Sequence, residues 1–257
     1  MSKYNRQHNI NVFRLSSNIF PRFTDREVEK YTIDFAKKAL KLAGDYGIKR
    51  CNQRFLMHPG QYNQVAANTQ KVFESTVDDL SHHADILDEM GVDENGVLIV
   101  HGGGMYGDKE KTMQRWIRQF DDLPQKVKRR LVLENCEKCY STRECLSISE
   151  ETGVPVVFDC HHYDCYSILH PNETQEPVED LLGEVIETWK DRRVVMHVSQ
   201  QGSGRTGHHS DFITELPKYF LDIPEKYGVG VDIEVEAKKK EQAIFKLYDV
   251  HKNIFKF

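Results

Sequence analysis

Six times along this chain a short apolar run ends in a side chain able to bind a metal ion, and turn-forming or polar residues follow. The runs are Phe55-Leu56-Met57-His58, Val97-Leu98-Ile99-Val100-His101, Leu131-Val132-Leu133-Glu134, Val156-Val157-Phe158-Asp159, Val194-Val195-Met196-His197 and Val231-Asp232-Ile233-Glu234-Val235-Glu236. Short, β-branched apolar runs bounded by turn residues read as buried parallel strands. Strands of one parallel barrel deliver their C-terminal ends to a single face, where such barrels keep their chemistry. The repetition predicts a convergence of three His, two Glu and one Asp. Burying that many acids without compensation is costly, so a metal centre is the expected use.

Between these runs lie amphipathic stretches of helical period. Helices are expected over Asp25–Tyr46, Asn68–Met90, Lys109–Phe120, Gln125–Arg130, Thr142–Thr152, Val178–Trp189 and Lys239–Asp249, with shorter ones over Phe212–Phe220 and Ile223–Tyr227. Thr24 with Glu27 is a capping-box candidate for the first, and Gly47 its expected stop. Adding Val12–Ser17 as the first strand gives seven readable strands in steady alternation with helices. The expected fold class is therefore α/β, a TIM-type (β/α) barrel forming one domain over residues 1–257 and lacking its first βα unit.

Composition narrows the function. At 257 residues and 29% charged, the chain suits a globular domain. No apolar run approaches the roughly 20 residues of a membrane helix, and residues 1–8 carry no signal-peptide core. A cytoplasmic or nucleoid-associated protein is expected, or a nuclear one in a eukaryote. A net charge of −5 argues against binding nucleic acid by bulk charge alone, although bound divalent ions would cancel part of it. Lys126–Arg130, Arg192-Arg193 and Lys238–Lys240 read as solvated helix ends or loops. The six cysteines read as reduced thiols, and Cys136–Cys139 is a lone CxxC without the second pair of a zinc finger.

Asp159 and His162 form an Asp-x-x-His pair, so one segment offers two ligands, and the loop containing His208-His209 offers another imidazole, with His209 the expected ligand. Nitrogen and oxygen donors without thiolates suit Mn²⁺, Mg²⁺, Zn²⁺ or Fe²⁺. His82-His83, inside a helix, read as solvent-facing or structural. Gly102-Gly103-Gly104 lacks the Lys-Ser/Thr of a phosphate loop, and close backbone approach to the metal site or a substrate is expected of it.

Together His58-Pro59-Gly60-Gln61-Tyr62, Val100-His101-Gly102-Gly103, Leu133-Glu134-Asn135, Asp159-x-x-His162, His197-Val198-Ser199-Gln200 and Val235-Glu236-Ala237-Lys238 resemble, in order, the motif set of the UV damage endonucleases. Phe13–Ser17 with Phe20-Pro21 resembles that family's second-strand segment. The resemblance implies a barrel related to endonuclease IV, holding two or three divalent ions, typically manganese. It implies nicking of damaged double-stranded DNA immediately 5′ of cyclobutane dimers and 6-4 products, leaving a 3′-hydroxyl and a 5′-phosphate. By matched position the ligands would be His58, His101, Glu134, Asp159, His162, His197, His209 and Glu236. Of these, Glu134, Glu236, His101 and His197 would be catalytic, and Gln61 and Tyr62 would probe the lesion. The sequence departs from the pattern at Val195, where the family often has a lysine that can be carboxylated, at Asn18, where some members have a further His, and in the first βα unit.

Two other functions fit the same residues. A sugar isomerase or epimerase would use the same barrel and metal chemistry, and a damaged-DNA binder would engage the lesion without turnover. Gln61-Tyr62 beside His58 and the size of the ligand set favour a phosphodiester substrate. A monomer is expected.

Overall fold

The computed structural model describes residues 1–29, 31–252 and 254, and the chain forms two compact units that meet within one strand, the first ending at Leu133 and the second starting at Glu134. The first contains α1 (Ser2–Gln7), β1 (Val12–Leu15), a 3-10 turn (Asp34–Ala36), α2 (Lys37–Cys51), β2 (Arg54–Met57), α3 (Gln70–Glu89), β3 (Leu98–His101), α4 (Lys109–Asp121) and α5 (Gln125–Lys128). β4 (Leu131–Glu134) closes it. The strands lie in chain order. β1 runs parallel to β2, Val12 opposite Arg54 and Leu15 opposite Met57, and β2 runs parallel to β3. Phe55, Leu56, Met57, Leu98, Ile99, Leu131, Val132 and Leu133 are all buried, as continuous apolar strands require.

Helix α3 begins where its sequence says it should. The Thr69 side chain accepts from the Val72 N–H, and Phe73, Leu80, Ala84 and Leu87 form its buried stripe. The basic cluster after α4 is absorbed by α3: Lys126 pairs with Asp85, and Arg129 and Arg130 with Asp88. Arg130 is 2% exposed and also donates to the Val92 and Gly96 carbonyls, so it is a core strut.

The first expected helix is corrected at both ends. It starts at Lys37, not Asp25. Thr24, the expected cap, has no helix directly after it and donates to the buried Asp79 carboxylate at 2.8 Å. Lys30 lies outside the described residues. Gly47 does not stop the helix, which runs on to Cys51 and ends with Asn52 in the left-handed region (φ 51°). A Cβ on Gly47 would sit 2.3 Å from the Phe55 ring, so close packing is why glycine is there.

The second unit contains α6 (Thr142–Thr152), β5 (Val156–Val157), α7 (Cys160–Leu169), α8 (Val178–Thr188), β6 (Val194–Val198), α9 (Lys218–Tyr227), β7 (Val231–Val235) and α10 (Glu241–Val250). That makes seven strands among the described residues. Ser141 and Glu144 close a capping box on α6, and Gly153 ends it at φ 73°. β6 and β7 pair in parallel, His197 opposite Glu234, and Asp159 bridges to His197.

Two helices differ from expectation here. Residues 212–217 are not helical, and α9 runs through Pro224, although a proline at that position gives up its bond to the carbonyl four residues back. α7 was not expected, its sequence being neither strongly amphipathic nor flanked by an obvious stop. Asp159 caps it, accepting from the His162 N–H at 2.7 Å. Among the described residues no helix is long and apolar enough to cross a membrane.

Candidate metal centre

The strand alternation decides which side chains meet. His197 lies on β6 directly opposite Glu234 of β7, and Glu236 follows two residues on, so both acids share one face of β7. Glu134 ends β4 and is fully buried, and Asp159 follows β5, also fully buried. Glu134, Asp159 and His197 each bring one ligand-type atom within 4.8 Å of the others. His197 Nδ1 lies 2.9 Å from Glu134 Oε1, 3.8 Å from Asp159 Oδ2 and 4.0 Å from Glu236 Oε1.

A clamp holds the Asp159 backbone. Its N–H donates to Asn135 Oδ1 and its carbonyl accepts from Asn135 Nδ2. Oδ1 is occupied by the cap of α7, while Oδ2 is buried with no hydrogen-bond partner among the described residues. A buried carboxylate oxygen left over in this way is an unsatisfied acceptor that a cation would complete. His162, in the first turn of α7, stands 3.4 Å from Glu134 through Nδ1 and 3.9 Å from Glu137 through Nε2. His209 Nε2 stands 3.7 Å from Glu236 Oε2.

The charge balance has the same sign. Burial disfavours a charge on His197, but Glu134 and Glu234 on either side outweigh it and hold the imidazole well above its ordinary pKa. Burial likewise opposes a charge on His162, and Asp159, Glu134 and Glu137 outweigh it. His161 goes the other way, lowered by burial and by His162 and His209. Two imidazoles attracting protons among four carboxylates describe a pocket of negative potential. Such a pocket suits divalent cations, and oxygen and nitrogen donors without thiolate suit Mn²⁺, Mg²⁺ or Zn²⁺. The residues fit the group.

In the first unit His58 follows β2 and His101 ends β3, their rings 5.2 Å apart. Tyr62 is 67% exposed, and its hydroxyl reaches Asp79 at 3.4 Å. Gly104 N–H donates to Gln64 Oε1 at 2.7 Å, and Gln64 Nε2 donates to the Gln61 carbonyl. Gly103, at φ 95°, would meet Gln64 with any Cβ. These glycines fasten the Gln61–Gln64 turn. His82 and His83 are structural and buried, not solvent-facing: His82 stacks on Phe23 at 3.8 Å and His83 reaches the Asp79 carbonyl at 2.7 Å.

The profile of the family described as UV-endonuclease UvdE matches residues 1–256. The chain belongs to the UV-endonuclease UvdE family. A protein of Acanthamoeba polyphaga mimivirus named for UV-damage endonuclease is 37% identical over 265 residues, 98% of this chain and 78% of its own length. A UV DNA damage endonuclease of Bacillus cereus (strain B4264) is 34% identical, covering 96% of this chain and 77% of its own. Among solved structures, SacUVDE is similar with a TM-score of 0.85 and 34% identity, over 99% of this chain and 84% of that one. Endonuclease IV from Thermus thermophilus shares the fold alone, at a TM-score of 0.64 and 14% identity over 98% of this chain and 91% of its own. The fold class is α/β of the TIM-barrel type, as the strand–helix alternation predicts, and the family member is an endonuclease.

Sequence reasoning passed over three residues of this site. Glu234 is buried at 8% exposure with Oε2 3.5 Å from His197 Nε2, and its signal was the alternation Asp232-Ile233-Glu234-Val235-Glu236, which puts three acids on one face. Glu137 packs under Gly207, where a Cβ would come within 3.1 Å of it. Asn135 clamps Asp159, and no sequence pattern announces that.

Proposed function

We propose that this endonuclease nicks double-stranded DNA immediately 5′ of UV photoproducts, cyclobutane dimers and 6-4 products, leaving a 3′-hydroxyl and a 5′-phosphate. The observation that carries the reading is the buried Glu134, Asp159 and His197 cluster in a member of this family. Glu134, Asp159, His162, His197, His209 and Glu236, with His58 and His101, would hold two or three divalent ions, with manganese the ion we favour. Bound ions supply Lewis acidity at the phosphate and an activated water. Glu134 and Glu236 are the carboxylates assigned to that charge balance, and His101 and His197 complete the catalytic set. Asn135 holds the Asp159 backbone and the His162 N–H orients its carboxylate, and the negative pocket keeps the centre selective for cations.

Gln61 and Tyr62 are the lesion probes in this reading. Tyr62 is exposed on a turn held by Gln64, so its ring is available as a stacking plane. A photoproduct already disrupts stacking, so opening the duplex there costs less than at intact sequence. The protein would act as a monomer. Sugar epimerases of the same barrel type share its fold alone; D-psicose 3-epimerase from Clostridium cellulolyticum H10 is 10% identical.

The deciding experiment is a labelled duplex carrying one cyclobutane dimer, incubated with manganese or with chelator. A manganese-dependent cut directly 5′ of the dimer supports the assignment. Intact DNA alongside turnover of a ketose would reject it.

A further inference from the structure

A second buried carboxylate faces the other nitrogen of His197. The β6–β7 register sets Glu234 directly opposite His197, and the two side chains are 9% and 0% exposed. Glu234 Oε2 is 3.5 Å from Nε2, while Nδ1 faces Glu134, Asp159 and Glu236. Glu234 is not one of the residues matched to ligands, and it does not join the Glu134, Asp159 and His197 cluster.

We infer that Glu234 is a positioning residue that selects the tautomer of His197. A neutral imidazole carries one N–H, and a nitrogen that binds a cation must present a lone pair. Nδ1 points at the three carboxylates that form the cation site, so the proton belongs on Nε2, where Glu234 is the acceptor within reach. A carboxylate behind a ligating imidazole fixes the ring's tautomer and orientation and raises its basicity. An N–H at Nε2 would offset part of the cost of burying Glu234. The inference rests on the metal-centre reading above.

The test compares wild type with Glu234→Leu and Glu234→Gln, using calorimetric titration of manganese into chelator-treated protein. Leucine removes the acceptor, and manganese affinity should fall about 10- to 100-fold. Glutamine keeps a neutral acceptor and should recover the larger part of that loss. In zinc-loaded protein labelled with ¹⁵N-histidine, wild-type His197 should show an Nε2–H, and Glu234→Gln should shift that proton upfield. Nicking lost at limiting manganese should return at excess manganese, with KM for damaged duplex unchanged.

Equal manganese affinity in wild type and Glu234→Leu would overturn the inference. So would the loss of one bound ion per chain with the rest as tight, because Glu234 would then be a ligand. If Glu234→Leu fails to fold, an unmoved Nε2–H in Glu234→Gln is the overturning result. Wild type that binds no manganese or zinc would instead reject the metal centre itself.

Discussion

Glu134 is buried, and its carboxylate lies 2.9 Å from His197 Nδ1. Glu134→Gln keeps shape and volume but removes a charge. We expect nicking to fall by about 100-fold or more, the weight of several kcal/mol of charge stabilisation at the phosphate. Near-wild-type rates in a single-turnover assay would remove Glu134 from the catalytic set. Tyr62 should behave differently, since it stands exposed and outside the ligand set. Tyr62→Ala should weaken binding to a dimer-containing duplex by about 1–3 kcal/mol, the worth of one stacked base, and leave intact-duplex binding unchanged in the same equilibrium titration. Damaged-duplex affinity equal to wild type would end its role as probe.

At the scale of elements, Asp79 of α3 ties segments far apart in the chain. It accepts from Thr24 at 2.8 Å and from Asn63 Nδ2 at 2.8 Å, and Tyr62 reaches it at 3.4 Å. Asp79→Ala should cost about 3 kcal/mol in urea unfolding, because it strands the buried Asn63 amide and removes the partner of the half-buried Thr24 hydroxyl. Gly47→Ala is a steric counterpart, since the new methyl would meet the Phe55 ring. That overpacking should cost about 1–3 kcal/mol, and an unchanged midpoint would show that β2 can shift to accommodate it. These elements also mark the limit of sequence reading. Thr24 and Glu27 have the spacing of a capping box, yet the residues after Thr24 are not helical and its hydroxyl is tied to Asp79, 55 residues on. Ser141 and Glu144 have the same spacing and do cap α6. A local pattern cannot say which partner arrives from elsewhere.

Over the whole molecule, stability should depend on His82. Burial pushes its imidazole down to about 4, aided by His83. The unfolded chain takes up this proton near the ordinary value of 6.5 and the folded chain only near 4. Stability should therefore fall as pH drops through that window, by at most roughly 3 kcal/mol, and level off below it. His82→Phe should remove that slope from urea midpoints measured at about pH 7, 5.5 and 4, which span the two values; an identical slope in the variant would assign the loss to other groups. The strand alternation, helices α2 to α6 and the acids and histidines that end the strands were legible in the chain, because burial on both faces of a strand writes itself as an apolar run and its end is marked by the first polar residue. The clamp on Asp159 by Asn135, the meeting of Glu234 with His197 and the neutralisation of Arg130 by Asp88 were decided only in three dimensions. Each depends on which strand lies opposite which, and in what register, and no local period carries that information.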